Sequence, residues 1–336
     1  MTLQQDEKTV GLSADAPEQQ PQEEFPQPKR RSWWWRIVVG LLMVLGLLVL
    51  TGVGLFVAQY WIQSRATAEG DSVKDPDVVI PTDQKSNEDK VPEPNRHPIE
   101  PALDLANAGL EHIRSKIKDY TAVLTVRQLM PSGQESEEAM FVKIRNRKVD
   151  EDGKIIVPFA VYLRFLKPRF KNGREVIWVE EANEGNLIAH EPGLLNFRRF
   201  HLPPDGPIAM MGQRYPIWEI GLEKLVEQLI MRGNEELQYG HEQCAVEFLK
   251  GTVDGHPCTI IQILHPQEKP AFTYYRAQVF IDDERQIPLR YVCQLWPEGE
   301  GKEPPVDEEY NYQDVKINVG LTDLDFDPDN PAYNYP

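Results

Sequence analysis

Residues 119–145, "DYTAVLTVRQLMPSGQESEEAMFVKIR", decide the fold. Both arms alternate apolar and polar residues with period two, and Pro131, Ser132 and Gly133 between them supply a turn, so the stretch reads as a long antiparallel hairpin. Downstream, "FAVYLRFLKP" (159–168), "REVIWVEE" (174–181) and "NLIAHE" (186–191) are short and rich in β-formers, with the turn signals "KNG" and "NEG" between them. They predict a meander that runs to about Glu191. Strands resume as "CAVEFLKGTVDGHPCTIIQILHP", turning at Asp254 and Gly255, then as "FTYYRAQVFIDDERQIPLRYVCQLWP", turning at Asp282 to Gln286, and finally as "YNYQDVKINV".

Two segments break this period. In "PIEPALDLANAGLEHIRSKIKD" (98–119), Leu103, Leu110, Ile113 and Ile117 share one face of a helix. After the irregular stretch 192–216, "IWEIGLEKLVEQLIMRG" places Ile220, Leu222, Leu225, Leu229 and Ile230 on a second apolar helical face. About ten strands and two helices follow, the strands in long runs with the helices set apart, which indicates an α+β fold: a curved antiparallel sheet, a half-barrel, wrapping two helices.

The amino-terminal part is of another kind. Residues 1–32 are rich in Gln, Glu and Pro, bury little apolar surface and read as a disordered cytoplasmic tail. From Ile37 to Ala58 there is no charge over 22 residues. At about 1.5 Å per residue this is about 33 Å, enough to cross the hydrocarbon layer. Trp33, Trp34 and Trp35 on one side and Tyr60 and Trp61 on the other form the interfacial belts of a transmembrane anchor, residues 33–61. The apolar run is longer than a secretory signal core, and Ala66, Thr67 and Ala68 lie too far beyond it for easy cleavage, so retention is expected. Lys29, Arg30, Arg31 and Arg36 keep the amino terminus cytoplasmic. Residues 62–97 read as a disordered linker, 98–330 as the extracytoplasmic domain and 331–336 as a tail.

Composition excludes several functions. With 53 acidic against 36 basic residues the formal net charge is −17, which argues against nucleic acid, whose binding needs lysine and arginine on phosphates. Cys244, Cys258 and Cys293 sit among apolar or β-branched neighbours and allow at most one internal disulfide. The histidines lack metal-ligand spacing, no serine has a nucleophile-elbow context, and no glycine loop cradles phosphate; the expectation is no metal, no cofactor and no catalytic residue. The aspartates of "TDLDFDPDNP" lack the glycine and terminal glutamate of a calcium loop and read as a polar carboxy-terminal tail.

The leading helix, "DYTAVLTVRQ", "VYLRFLKPRFKNGREVIWVEEANEGNL", the hairpin "AQVFIDDERQIPLRYV" and the terminal "INVGLTDLDFDP" resemble the layout of the bacterial lipoprotein-carrier fold of the LolA and LolB type. The segments "YLRFLKP", "GREVIWVE" and "YPIWEIGL" are similar to an envelope family of unknown function, domain family 1571. The resemblance covers about residues 99–330 and implies a half-barrel enclosing an apolar cavity for acyl chains. With the bacterial envelope that the resemblance implies, the apolar span and its basic flank lead to the expectation of a single-pass protein of the bacterial inner membrane with its main domain periplasmic. Carriers of the first type are free and those of the second lipid-anchored, so the transmembrane helix sets this chain apart.

Two functions are carried forward. One is a membrane-anchored binding module for a lipid or an acylated partner such as a lipoprotein. The other is an envelope scaffold or sensor that works through a protein partner and has no ligand pocket. In "VYLRFLK", Val161, Leu163 and Phe165 share a side, as do Val176 and Trp178 in "EVIWV". In the half-barrel reading Leu163, Phe165 and Trp178 line the concave face opposite Leu225 and Leu229, with the acyl chain between them; otherwise they are core. Arg174 and Glu175, at a strand start after Asn172 and Gly173, read either as a polar rim or as a solvated ion pair.

Overall fold

Tyr120, whose position in the first long strand puts it on the buried side, ties down the start of the second helix: its hydroxyl oxygen accepts a hydrogen bond of 2.8 Å from the Leu222 amide. That contact joins elements about a hundred residues apart and shows how the chain is put together. The computed structural model describes residues 73–81, 96–193, 196–299 and 301–336, all within one compact unit spanning residues 60–336. The expected anchor, residues 33–61, and the cytoplasmic tail lie outside the described residues. Among the described residues no helix is long and apolar enough to cross a membrane.

Helix α1 (Glu100–Lys116) has proline in its first turn, Glu100 accepting from the His97 amide, and Arg114 and Lys116 in its last turn, all favourable to its dipole. Helix α2 (Leu222–Glu236) begins after Gly221, whose φ of 119° is open to glycine and whose missing Cβ would stand 3.0 Å from the Tyr120 hydroxyl. The strands are β1 (Val78–Val79), β2 (Asp119–Leu129), β3 (Glu135–Arg145), β4 (Lys148–Val149), β5 (Ile155–Val157), β6 (Ala160–Lys167) and β7 (Glu175–Val179). They continue as β8 (Leu187–His190), β9 (Arg199–Leu202), β10 (Ala245–Val253), β11 (His256–Leu264), β12 (Arg276–Asp282), β13 (Pro288–Gln294) and β14 (Val306–Ile317).

Twelve of these form one open antiparallel sheet in the order β1-β10-β11-β12-β13-β14-β2-β3-β6-β7-β8-β9; β4 and β5 pair separately. The first and last long strands, β2 and β14, meet in the middle of the sheet. The fold is therefore α+β, with two helices on a sheet that does not close. Residues directly opposite in neighbouring strands share a face, so Leu124, Met140 and Phe165 lie on one side, as do Ala122, Val142, Leu163 and Val176. This inner face carries the main core, and both helices pack on it: Ile113 from α1, with Ile117 just beyond its end, and Leu222 and Val226 from α2.

The outer face of β6 and β7 is covered as well. Ala160, Tyr162 and Ile177 pack under Phe326, Tyr333 and Tyr335, and Tyr162 stacks on Tyr333 at 4.2 Å. Residues 318–336, read from sequence as a domain end and polar tail, thus lie as a strap, pinned by Lys143 to Asp325 at 2.7 Å and Arg145 to Asp323 at 2.6 Å. Within the stretch read as a linker, Val78–Val79 add a short strand at the β10 edge, admitted by Gly251, whose Cβ would meet the Val79 carbonyl at 2.6 Å. The irregular stretch 192–216 holds one more strand, β9.

Candidate functional site

The two helices are fixed to the sheet unequally, and the difference leaves a cleft. Leu225 and Leu229 of α2 pack on Val279 and Tyr291, and polar anchors follow one turn on. Arg232 donates to Tyr291 Oη at 2.9 Å and to the buried carboxylate of Glu308 at 2.8 Å. Although burial works against it, the surrounding tyrosine and glutamate oxygens raise the Arg232 pKa further and keep it charged. Glu236 then accepts from the Tyr274 hydroxyl at 2.9 Å and lies 2.9 Å from His265 Nε2, while His265 Nδ1 donates to the Tyr274 carbonyl. Burial, then Glu236, push the Tyr274 hydroxyl well above its ordinary range. His265 is fully enclosed and stacks on Phe272 at 4.0 Å, so this triad holds the end of α2 and offers no access to a substrate.

Helix α1 meets the same sheet at its two ends: Ile99 and Leu103 pack on Ile261 at the start, and Ile113 joins the main core near the end. It crosses α2 closely because Gly233 has no side chain: a Cβ there would stand 2.7 Å from Leu103 Cδ2. Arg114 then ties α1 to α2, donating to Glu223 at 2.8 Å and bonding Glu227. Between these points α1 presents Ala102, Ala106 and Gly109 toward the sheet, and small side chains do not fill the space. The result is a cavity of about 230 Å³ between α1, α2 and strands β11–β13. Ile261, Ile263, Val279 and Ile281 form its floor. A Cβ built on Gly109 meets nothing within 4 Å. Leu105 and Ala108 on α1 and Asp283 and Gln286 on the β12–β13 turn are the exposed members of the wall and mark the mouth.

Of the residues singled out from sequence, Leu163, Phe165 and Trp178 are all buried on the inner face and belong to one core. That part of the face is occupied by Ile217, Trp218 and Ile220, with Trp218 6.0 Å from Trp178. Leu225 packs between this core and the neighbouring one, and Leu229 lines the cleft, so the structure separates Leu229 from the first three. Arg174 and Glu175 are not partners. Arg174 pairs with Glu191 at 2.6 Å. Glu175 is 1% exposed on the outer face, accepting from Tyr162 Oη at 2.7 Å and from the Asn334 amide at 2.9 Å. The residues that sequence reasoning passed over are Ala102, Ala106, Gly109 and Gly233; the signal was a run of small residues, "ALDLANAG", on an otherwise apolar helix face. The three cysteines are free and buried.

A family model described as protein of unknown function (DUF1571) matches residues 117–335. A search of curated proteins finds no match. Among solved structures, a putative outer membrane lipoprotein-sorting protein domain from Vibrio parahaemolyticus is 14% identical, covering 68% of this chain and 97% of its own, with a TM-score of 0.31. A LolA superfamily protein from Nitrosomonas europaea is 12% identical over 66% of this chain and 97% of its own, with a TM-score of 0.27. The MucA/MucB complex of Pseudomonas aeruginosa is similar at 13% identity, covering 68% of this chain and 60% of that one, with a TM-score of 0.36.

Proposed function

The chain belongs to the DUF1571 family of proteins of unknown function, and from that premise we propose that its folded domain binds a single alkyl or acyl chain in the cleft beneath α1. The observation that carries this reading is the cavity of about 230 Å³ with an aliphatic floor. An apolar cavity of about 150 Å³ holds a six-carbon ring, so in proportion this one holds about nine carbons. Drug-sized ligands need about 300–1,000 Å³, and the smaller volume suits one chain better than a lipid with several. Nine methylenes contribute about 7 kcal/mol on burial. Association takes back at least about 4 kcal/mol. A bare chain is therefore held at millimolar strength, and a tighter ligand must gain the rest from its head.

In this reading the protein is a binding module and not an enzyme. It is carried on the anchor from Ile37 to Ala58, with its domain on the periplasmic side of a bacterial inner membrane. The test is ligand-observed NMR of the full-length chain titrated with 1-decanoylglycerol. Saturable binding is expected, and Gly109→Leu should remove it. If the wild-type chain shows no saturable binding while a protein co-purifies with both forms alike, the scaffold reading takes its place.

A further inference from the structure

The cleft is apolar along its floor, and its polar wall residues stand together at one end. Thr259 lies opposite Ile281 in the β11–β12 pair, so its side chain shares the cleft face. Its hydroxyl donates to Asp283 Oδ1 at 2.5 Å and accepts from Lys250 Nζ at 2.8 Å, and Lys250 Nζ also reaches Asp283 Oδ2 at 3.0 Å. Partial burial works against ionisation of Asp283, but the Thr259 and Lys250 hydrogen bonds outweigh it and hold the carboxyl below its ordinary range. A carboxylate has about four acceptor sites. Thr259 and Lys250 occupy part of them, and Asp283 is exposed at the mouth, where a ligand head would emerge. Gln286 stands beside Asp283 at the same mouth.

The neighbouring Asp282 also lines the cleft. Its carboxylate is 1% exposed; Oδ1 accepts from the Glu284 and Arg285 amides, and Oδ2 has no hydrogen-bond partner, with Arg285 and His256 no nearer than 3.5 and 3.9 Å. No lysine, arginine or histidine lines the cleft among the described residues. A ligand carboxylate or phosphate at the mouth would meet Asp283, whose Lys250 partner is already shared with Thr259, while Arg285, on the same turn, is drawn to Asp282 and is not part of the cleft wall.

Resting on the single-chain reading above, we propose that the cleft selects an alkyl chain whose head donates hydrogen bonds and carries no negative charge, a hydroxylated ester or an amine, and rejects the free fatty acid. The experiment compares 1-decanoylglycerol, decylamine and decanoate by ligand-observed NMR on the full-length chain at neutral pH. Because the net charge of −17 attracts any amine, only binding that Gly109→Leu removes is counted. Decanoate is expected to bind at least about tenfold more weakly than the other two, the size of one solvent-screened like-charge contact. Asp283→Asn should narrow the gap between decylamine and decanoate by about tenfold; if that variant does not fold, the three wild-type affinities still decide. Decanoate binding as tightly as the donor-headed ligands overturns the proposal. Failure of all three to bind overturns the single-chain reading itself, which is a different result.

Discussion

Replacing Gly109 with leucine sets the occupancy of the cleft against the stability of the fold, because the two should move in opposite directions. Gly109 sits inside α1, and its α-hydrogen side faces space that no atom enters within 4 Å. Removing glycine from a helix interior gains about 0.8 kcal/mol. A fully buried leucine gains about 1.5–3 kcal/mol, and half of that at a partly exposed position is about 1. Gly109→Leu should therefore stabilise the domain by about 2 kcal/mol, or about 4–8 °C in Tm for a domain of this size. Its four side-chain carbons take nearly half of the roughly nine-carbon space. Losing about four methylene sites removes about 3 kcal/mol, as much as the net binding estimated for the chain. The assay pairs a thermal melt with the 1-decanoylglycerol titration on the same preparation. A raised melting temperature with lost binding is expected. A lowered melting temperature would mean that the space beside Gly109 is not there, and unchanged binding would mean that the ligand lies elsewhere.

Other regions give independent predictions. Burial pushes the Cys244 and Cys258 thiols up to about 11 and Cys293 up to about 12, so iodoacetamide at pH 8 should leave all three unmodified in the native chain and label them after denaturation. A carbamidomethyl mass shift on the native protein would contradict this. His265→Ala leaves the buried Glu236 side chain with only the Tyr274 hydroxyl, and urea denaturation should show a loss of about 1–3 kcal/mol, the cost of a buried polar group deprived of a hydrogen-bond partner; no loss would show that this contact does not hold α2. Asp325 is held below its ordinary range: burial opposes this, but bonds from Lys143 and Thr322 prevail. A depressed folded-state pKa stabilises in full above the unfolded value of about 3.9 and is lost as pH falls through the folded value. The urea midpoint should accordingly drop below about pH 4 in the wild type, and less steeply in Asp325→Asn; equal slopes would remove the strap from the acid transition.

What the sequence made legible was the part written in side chains that are present. The hairpin over residues 119–145 became β2 and β3, "FAVYLRFLKP" became β6, and the Asp254 and Gly255 turn, both at positive φ, joins β10 to β11. Val161, Leu163 and Phe165 do share the inner face, because period two leaves a strand no other choice once one face is buried. The pieces that escaped depend on distant partners. Val78–Val79 become a strand only because Gly251 lets a second backbone approach, and "RFHL" becomes β9 only because β8 offers it an edge. Tyr333 and Tyr335 look like a polar ending until Tyr162 and Ile177 are seen to need a cover.

The cleft was illegible for a further reason, which bears on how such sites are found. Periodicity locates large apolar residues, and a search guided by it settles on Leu163, Phe165 and Trp178, where size is greatest. Those side chains are large enough to meet Trp218 and Ile217 coming from the segment before α2. Emptiness arises where the pattern is apolar in spacing but small in volume. On α1 the positions 102, 106, 109 and 113 recur at helical spacing, yet three of them are Ala102, Ala106 and Gly109. α1 and α2 are brought together at Gly233 and tied at Arg114, so the helix cannot sink to fill the gap. A leucine at Ala106 or Gly109 would complete an ordinary core. Closing the gap would bury more apolar surface, so a helix held over an unfilled floor forgoes stability that a ligand chain can restore. That is why the ligand, and not a mutation in the already filled half of the sheet, is the perturbation to which the domain should respond most: saturation with a donor-headed decyl chain should raise the melting temperature of the wild type and leave that of Gly109→Leu where it was.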